Sequence, residues 1–144
     1  MKHTALFIHL LGFSVWVGSF IAMMICLIYI RKSGSNTEMI QMLNRLQTRL
    51  TIIGNSGALL MLISGLILYS LTKTYTLPIY LTAAIGGGTC VFSIWAITFQ
   101  SNRLSERIKS TSAGKSLTTP ITLMNVSSWV VLIGIAVVVG IATR

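Results

Sequence analysis

The fold of this chain is decided by residues 3–30, HTALFIHLLGFSVWVGSFIAMMICLIYI. This run is longer than the roughly 20 apolar residues that an α-helix needs to cross the hydrocarbon core of a bilayer. A histidine, His9, lies well inside it. Because polar groups are costly in hydrocarbon, a histidine kept at such a depth predicts a functional site.

The composition of the whole chain agrees with that of a membrane protein. Of its 144 residues 53% are hydrophobic and 9% are charged, and the mean hydropathy is +0.82, far above the values of soluble domains. Four apolar runs are long enough to span a bilayer, at about residues 4–30, 50–71, 78–99 and 121–142. The first is too long for a signal-peptide core and lacks an A-x-A-like cleavage site, so we expect it to be retained. The sequence predicts an all-α, polytopic four-helix bundle forming a single transmembrane domain, residues 1–144.

The net charge of +9 is concentrated in the segments that follow the first and third runs. Their basic residues are Arg31, Lys32, Arg45, Arg49, Arg103, Arg107, Lys109 and Lys115. Charges beside apolar runs set topology, which argues against nucleic-acid binding. The positive-inside rule places both segments in the cytoplasm and both termini outside a bacterial-type plasma membrane.

The second and third helices are predicted to extend into the cytoplasm. Residues 35–38 have the form of a capping box, with Ser35 as the capping residue. An apolar seam then runs without a break into the second span, and it consists of Met39, Leu43, Leu46, Leu50 and Ile53. We therefore predict one helix over about 36–71, and the third helix continues past its span through Leu104 and Ile108. Such a hairpin is either a docking surface or a plain helix extension.

His9 shares one face of the first helix with Phe13, Trp16 and Phe20, because residues three and four apart stack on a common side. As a structural group, His9 would donate a hydrogen bond to a neighbouring helix. As a ligand, its imidazole would bind haem iron or copper, with the three aromatic rings walling an apolar slot. His3 is a second metal ligand only if the start of the helix bends.

Other polar and sulfur-containing residues inside the spans leave further alternatives open. Asn55 and Asn125 lie at equal depth and are predicted to hydrogen-bond each other or to line a translocation path. Met61, in mid-span, is predicted to lie deeper than His9, and packing or Cu(I) ligation would suit it. No Asp, Glu, Lys or Arg falls within a span, which disfavours a proton-coupled carrier of the small multidrug type.

The string His9-Leu10-Leu11-Gly12, followed by Trp16-Val17-Gly18, resembles the first helix of the copper-resistance D (CopD-like) membrane family. It also resembles the related HemJ-like protoporphyrinogen oxidases. The HemJ resemblance implies haem b held by His9 and by a lysine of the third helix, and oxidation of a porphyrinogen. Residues 78–99 contain no lysine, and Lys73 precedes them. The CopD resemblance implies copper uptake or handling.

Three functions are consistent with these features. The first is haem b binding or a redox role through His9. The second is copper handling or solute permeation by the Met, Cys and Asn residues. The third is a non-catalytic accessory subunit of a larger membrane complex. The expected partners are the lipid bilayer and either a second copy of the chain, as a homodimer, or that larger complex.

Overall fold

The computed structural model describes residues 2–33, 36–71, 76–110 and 118–142, which form α-helices and no strand. In chain order the helices are α1 (Lys2–Lys32), α2 (Thr37–Ser70), α3 (Leu77–Ser110) and α4 (Thr118–Ala142). Each of these four is long and apolar enough to cross a membrane. The prediction of an all-α, multi-pass membrane bundle is confirmed.

Helices α2 and α3 are longer than a bilayer is thick. Each has 34 residues, which at 1.5 Å per residue gives about 51 Å, against roughly 30 Å of hydrocarbon. The continuous helix predicted over about 36–71 is thus confirmed. At the far end of α3, Leu104 and Ile108 are buried while Arg103 and Arg107 are exposed, so the predicted stripe continues as well.

The N-terminus of α2 differs from the predicted capping box. Asn36 is the capping residue, and its side-chain oxygen accepts a hydrogen bond from the backbone N–H of Met39 at 3.1 Å. Ser35 lies outside the described residues. Because asparagine caps at least as well as serine, the helix begins one position later with the same kind of bond.

The packed face of α2 also differs from the predicted seam. Met39 and Ile53 are 43% and 50% exposed, whereas Asn44, Gln47 and Thr51 are buried. Ile53 lies within the predicted span, where lipid accepts apolar side chains as readily as a protein core does, so hydrophobic spacing does not select the packed side there. Asn44, Gln47 and Thr51 turn inward, where the neighbouring helices supply hydrogen-bond partners.

The four helices form a ring in which each packs against its chain neighbours. Among the described residues, α1 packs most closely on α2, and of the four interfaces between neighbours in this ring the α1–α4 interface is the weakest. We call the end that carries both chain termini the termini end. The opposite end, with the exposed basic residues Arg31, Lys32, Arg45, Arg49, Arg103 and Arg107, is called the basic end.

The contact between α1 and α2 is a backbone crossing at two glycines. A Cβ on Gly12 would lie 2.9 Å from the carbonyl oxygen of Gly57, and a Cβ on Gly57 would lie 2.8 Å from the backbone nitrogen of Trp16. Since real side chains do not approach so closely, only glycine fits at either position. This crossing holds the His9 face of α1 against α2.

Candidate functional site: a four-helix cleft beside His9

The His9 ring is held by the backbone of α2. Its Nδ1 lies 2.9 Å from the carbonyl oxygen of Met61 and 3.2 Å from the Oγ of Ser64. A carbonyl oxygen only accepts, so Nδ1 carries the proton and donates it. The Ser64 hydroxyl donates to the carbonyl of Leu60 at 2.7 Å, which leaves its oxygen able to accept from the same Nδ1–H.

This hydrogen bond fixes the state of the other ring nitrogen. In a neutral imidazole with its proton on Nδ1, the lone pair is on Nε2. Among the described residues Nε2 makes no hydrogen bond. Histidines that ligate metals or accept protons are commonly oriented in this way, by a second bond from the opposite nitrogen to a backbone carbonyl.

The position of the ring depends on a glycine of α2. A Cβ on Gly65 would lie 3.1 Å from Cε1 of His9 and 3.4 Å from its Nδ1. Any side chain at this position would push the ring away from α2. Gly65 therefore makes room for the histidine.

A cleft of about 250 Å³ lies beside His9, and all four helices line it. From α1 and α2 come His9, Leu10, Phe13, Trp16 and Met61, and from α3 and α4 come Thr82, Gly86, Thr89, Ile135, Val138 and Val139. The walls are therefore mainly apolar, with small residues on α3 opposite the histidine. The cleft lies in the half of the bundle nearer the termini end.

Trp16, which lines this cleft, also carries an unpaired polar atom. Its side chain is 1% exposed, and its indole Nε1 has no hydrogen-bond partner among the described residues. An indole N–H only donates. The cleft is thus lined by one residue with a free acceptor, His9, and one with a free donor, Trp16.

The predicted site residues separate into two groups. His9, Phe13 and Trp16 line the cleft together. Phe20 is absent from the lining and packs edge-to-face on Trp16, with the ring centroids 6.0 Å apart. His3 is exposed on a helix that is already regular from Lys2. Since the start of α1 does not bend, the structure does not bring His3 to His9.

Sequence reasoning misplaced one cleft residue and did not indicate Thr82 and Thr89 on α3 or the lining residues on α4. Met61 was predicted to lie deeper than His9, yet its carbonyl oxygen accepts from the His9 ring and the residue lines the same cleft. The Ser64-Gly65 pair within an apolar span was the available signal on α2. In the described part of the chain, no group of three or more His, Cys, Asp or Glu residues is placed to hold a metal ion.

A second polar region lies in the half of the bundle nearer the basic end. We call it the polar seam, and it consists of Asn44, Gln47 and Thr51 on α2, Gln100, Ser101 and Ser105 on α3, and Ser127 and Ser128 on α4. Beside it, the predicted pairing of Asn55 with Asn125 is wrong. Asn55 instead donates to the hydroxyl of Thr98 at 2.8 Å, because α3 is the neighbour that packs on this part of α2.

Hydrogen bonds join the polar seam across three helices. Asn44 donates to Ser105 at 3.2 Å, Gln47 to the sulfur of Met124 at 3.1 Å, and Gln100 to Ser127 at 2.7 Å. In each of these residues the amide nitrogen is therefore paired. The amide oxygens of Asn44, Gln47 and Gln100 are buried without a partner among the described residues.

No family model, curated protein or solved structure matches this chain. Its function has to be inferred from the cleft and the polar seam themselves.

Proposed function

We propose that this membrane protein binds a small ring compound of the quinol and quinone class in the cleft beside His9. The observation that carries the proposal is the orientation of His9, whose Nδ1–H is bonded to Met61 and whose Nε2 is a free acceptor. A quinol hydroxyl donates to such a nitrogen. The unpaired indole N–H of Trp16 complements it, since a quinone carbonyl only accepts.

The size and walls of the cleft support a ligand of this kind. Its volume of about 250 Å³ is just below the roughly 300–1,000 Å³ of typical small-molecule sites, which suits a single substituted ring. The lining is mainly apolar. We expect an apolar tail of the ligand to pass from the cleft into lipid between α1 and α4, because the interface between these two helices is the weakest.

Haem b, which the HemJ resemblance implies, stays a prediction. His9 and Met61 line the same cleft, and histidine with methionine is a known axial pair for haem iron. However, a porphyrin is larger than a cleft of about 250 Å³, so the described arrangement does not accommodate it unless α4 moves away from α1. Copper handling and the accessory-subunit role likewise stay predictions, as does a homodimer.

The orientation in the membrane belongs to the same proposal. Of the described basic residues outside the basic end, Lys2 lies at the termini end. By the positive-inside rule the basic end faces the cytoplasm of a bacterial-type cell and both termini are extracytoplasmic. The cleft then opens within the outer leaflet, where a lipid-dissolved ring compound can reach it.

A fluorescence titration tests the proposed function. Replacing the exposed Trp95 and Trp129 by phenylalanine leaves Trp16 as the sole tryptophan in the chain. In nanodiscs, a short-tailed benzoquinone is expected to quench Trp16 in a saturable manner, because it occupies the cleft. Quenching that only rises in proportion to the quinone dissolved in the lipid would contradict binding. A Soret band in the absorption spectrum of the purified protein would favour the haem prediction instead.

A further inference from the structure

We propose that the polar seam binds a chain of water molecules, which enters from the basic end and stops halfway through the bundle. This inference is independent of the ligand proposed for the cleft. The inference rests on the buried amide oxygens of the seam, on the opening next to them, and on the apolar residues at the end of the seam nearer the cleft.

The amide oxygens of Asn44, Gln47 and Gln100 require donors that the protein does not supply. All three are buried and unpaired among the described residues, and Gln47 is 0% exposed. Buried carbonyl groups in proteins are nearly always satisfied, and ordered water satisfies those that protein groups do not. Three acceptors on two adjacent helices therefore indicate more than one water molecule.

Further hydroxyl groups provide the other bonds that such water needs. Thr51 and Ser101 face each other with their oxygens 3.5 Å apart, and Ser127 already accepts from Gln100. A buried water makes about three hydrogen bonds, to donors and acceptors alike. The seam offers both kinds of group along its length.

An opening at the basic end connects the seam to solvent. A cleft of about 440 Å³ lies between α2 and α3, and Asn44 and Ser105 line it together with Arg45 and Arg49. The Asn44–Ser105 hydrogen bond therefore lies at this opening, and it is the first hydrogen bond of the seam on entering from the basic end. The two arginines at the mouth repel cations, and the seam has no charged side chain of its own. These charges favour neutral water over a metal or ammonium ion.

Apolar residues end the seam before it reaches the cleft beside His9. On α2, α3 and α4 respectively, Ala58, Ile97 and Val131 lie beyond the seam in the direction of the cleft, and each is at most 1% exposed. They belong to one buried apolar cluster, which we call the dry layer, and the buried hydroxyl of Ser93 beside it is satisfied by the carbonyl oxygen of Cys90. The water chain is therefore a half-channel, and the cleft is not reached from the basic end.

Hydroxyl-radical footprinting of the full chain in nanodiscs tests this inference. Radicals formed from bound water oxidise nearby methionine to its sulfoxide, and Met124 contacts Gln47 although it is 0% exposed. Cys90 is the control, because it is also 0% exposed but is separated from the seam by the dry layer. Although thiols are intrinsically reactive towards radicals, we expect oxidation of Met124 to be faster than that of Cys90.

Variants of the seam complete the test. Gln47→Leu and Gln100→Leu each remove one unpaired amide oxygen. In each variant we expect the rate of Met124 oxidation to fall to a small fraction of its original value, while thermal unfolding stays cooperative. If one of the two variants fails to fold, the other still tests the seam. The proposal would be overturned if Met124 of the unaltered chain were oxidised as slowly as Cys90. It would also be overturned if a folded variant showed an unchanged rate of Met124 oxidation.

Discussion

His9→Ala is expected to weaken quinol binding roughly tenfold to a hundredfold. The variant removes the Nε2 acceptor and leaves the quinol hydroxyl unpaired in an apolar cleft, which costs about 1–3 kcal/mol, and each 1.4 kcal/mol is a factor of about ten in affinity. Quinone is expected to lose less affinity, because it has no proton to donate to Nε2 and so makes no hydrogen bond that the substitution removes. Quinol affinity is measured by competition with quinone in the Trp16 titration.

The matched control for His9→Ala is His3→Ala on the same helix. His3 is exposed and does not reach the cleft, so quinol and quinone affinities should be unchanged. A purely structural role for His9 would lower the affinities of both redox forms together. Equal losses for the two forms, or no loss at all, would count against His9 as the acceptor.

Gly86→Leu is expected to abolish binding without unfolding the bundle. Gly86 lines the cleft, and a Cβ at this position meets only Val138, at 3.9 Å. The leucine side chain therefore extends into the cleft and occupies the space of the ring. Replacing a glycine in a helix interior also removes an entropic cost of about 0.5–1 kcal/mol, so the midpoint of thermal unfolding should be unchanged or higher.

Gly88→Leu is the control for this effect, two residues further along α3. A Cβ on Gly88 has no atom within 4 Å, and the residue is exposed. Saturable quenching of Trp16 should be retained in this variant. If Gly86→Leu still bound the quinone with unchanged affinity, the ligand would have to lie outside the described cleft.

The number, order and length of the helices could be predicted because each depends on local sequence. The apolar run at 3–30 and the three later apolar runs are each long enough to cross a bilayer as a helix, whichever helices they pack against. The extension of α2 and α3 followed from apolar residues such as Leu104, which continue beside charges. These features need no knowledge of which helix faces which.

The packed faces within the membrane could not be predicted, because lipid and protein interior are equally apolar. Ile53 belongs to the predicted apolar seam and is exposed, whereas Thr51 is buried. In a membrane helix the polar residues are better guides to the interior. The Asn55 prediction failed for a related reason, since equal depth does not say that α3 supplies the partner, Thr98.

The α1 wall of the cleft followed from helical spacing, which puts His9, Phe13 and Trp16 on one side. The same spacing included Phe20, which instead packs on Trp16. The remaining walls depend on how α3 and α4 pack against α1 and α2. No periodicity within one helix contains that information.

The proposed binding site requires a neutral His9 that carries its proton on Nδ1 and presents a free Nε2 to the cleft. Solid-state ¹⁵N NMR of the His3→Ala protein, labelled at histidine and reconstituted in bilayers without ligand, measures this directly because His9 is then the sole histidine of the chain. The predicted spectrum has a protonated Nδ1 and an unprotonated, pyridine-type Nε2, and quinol shifts only the Nε2 resonance strongly. A proton on Nε2 with an unprotonated Nδ1 would contradict the account.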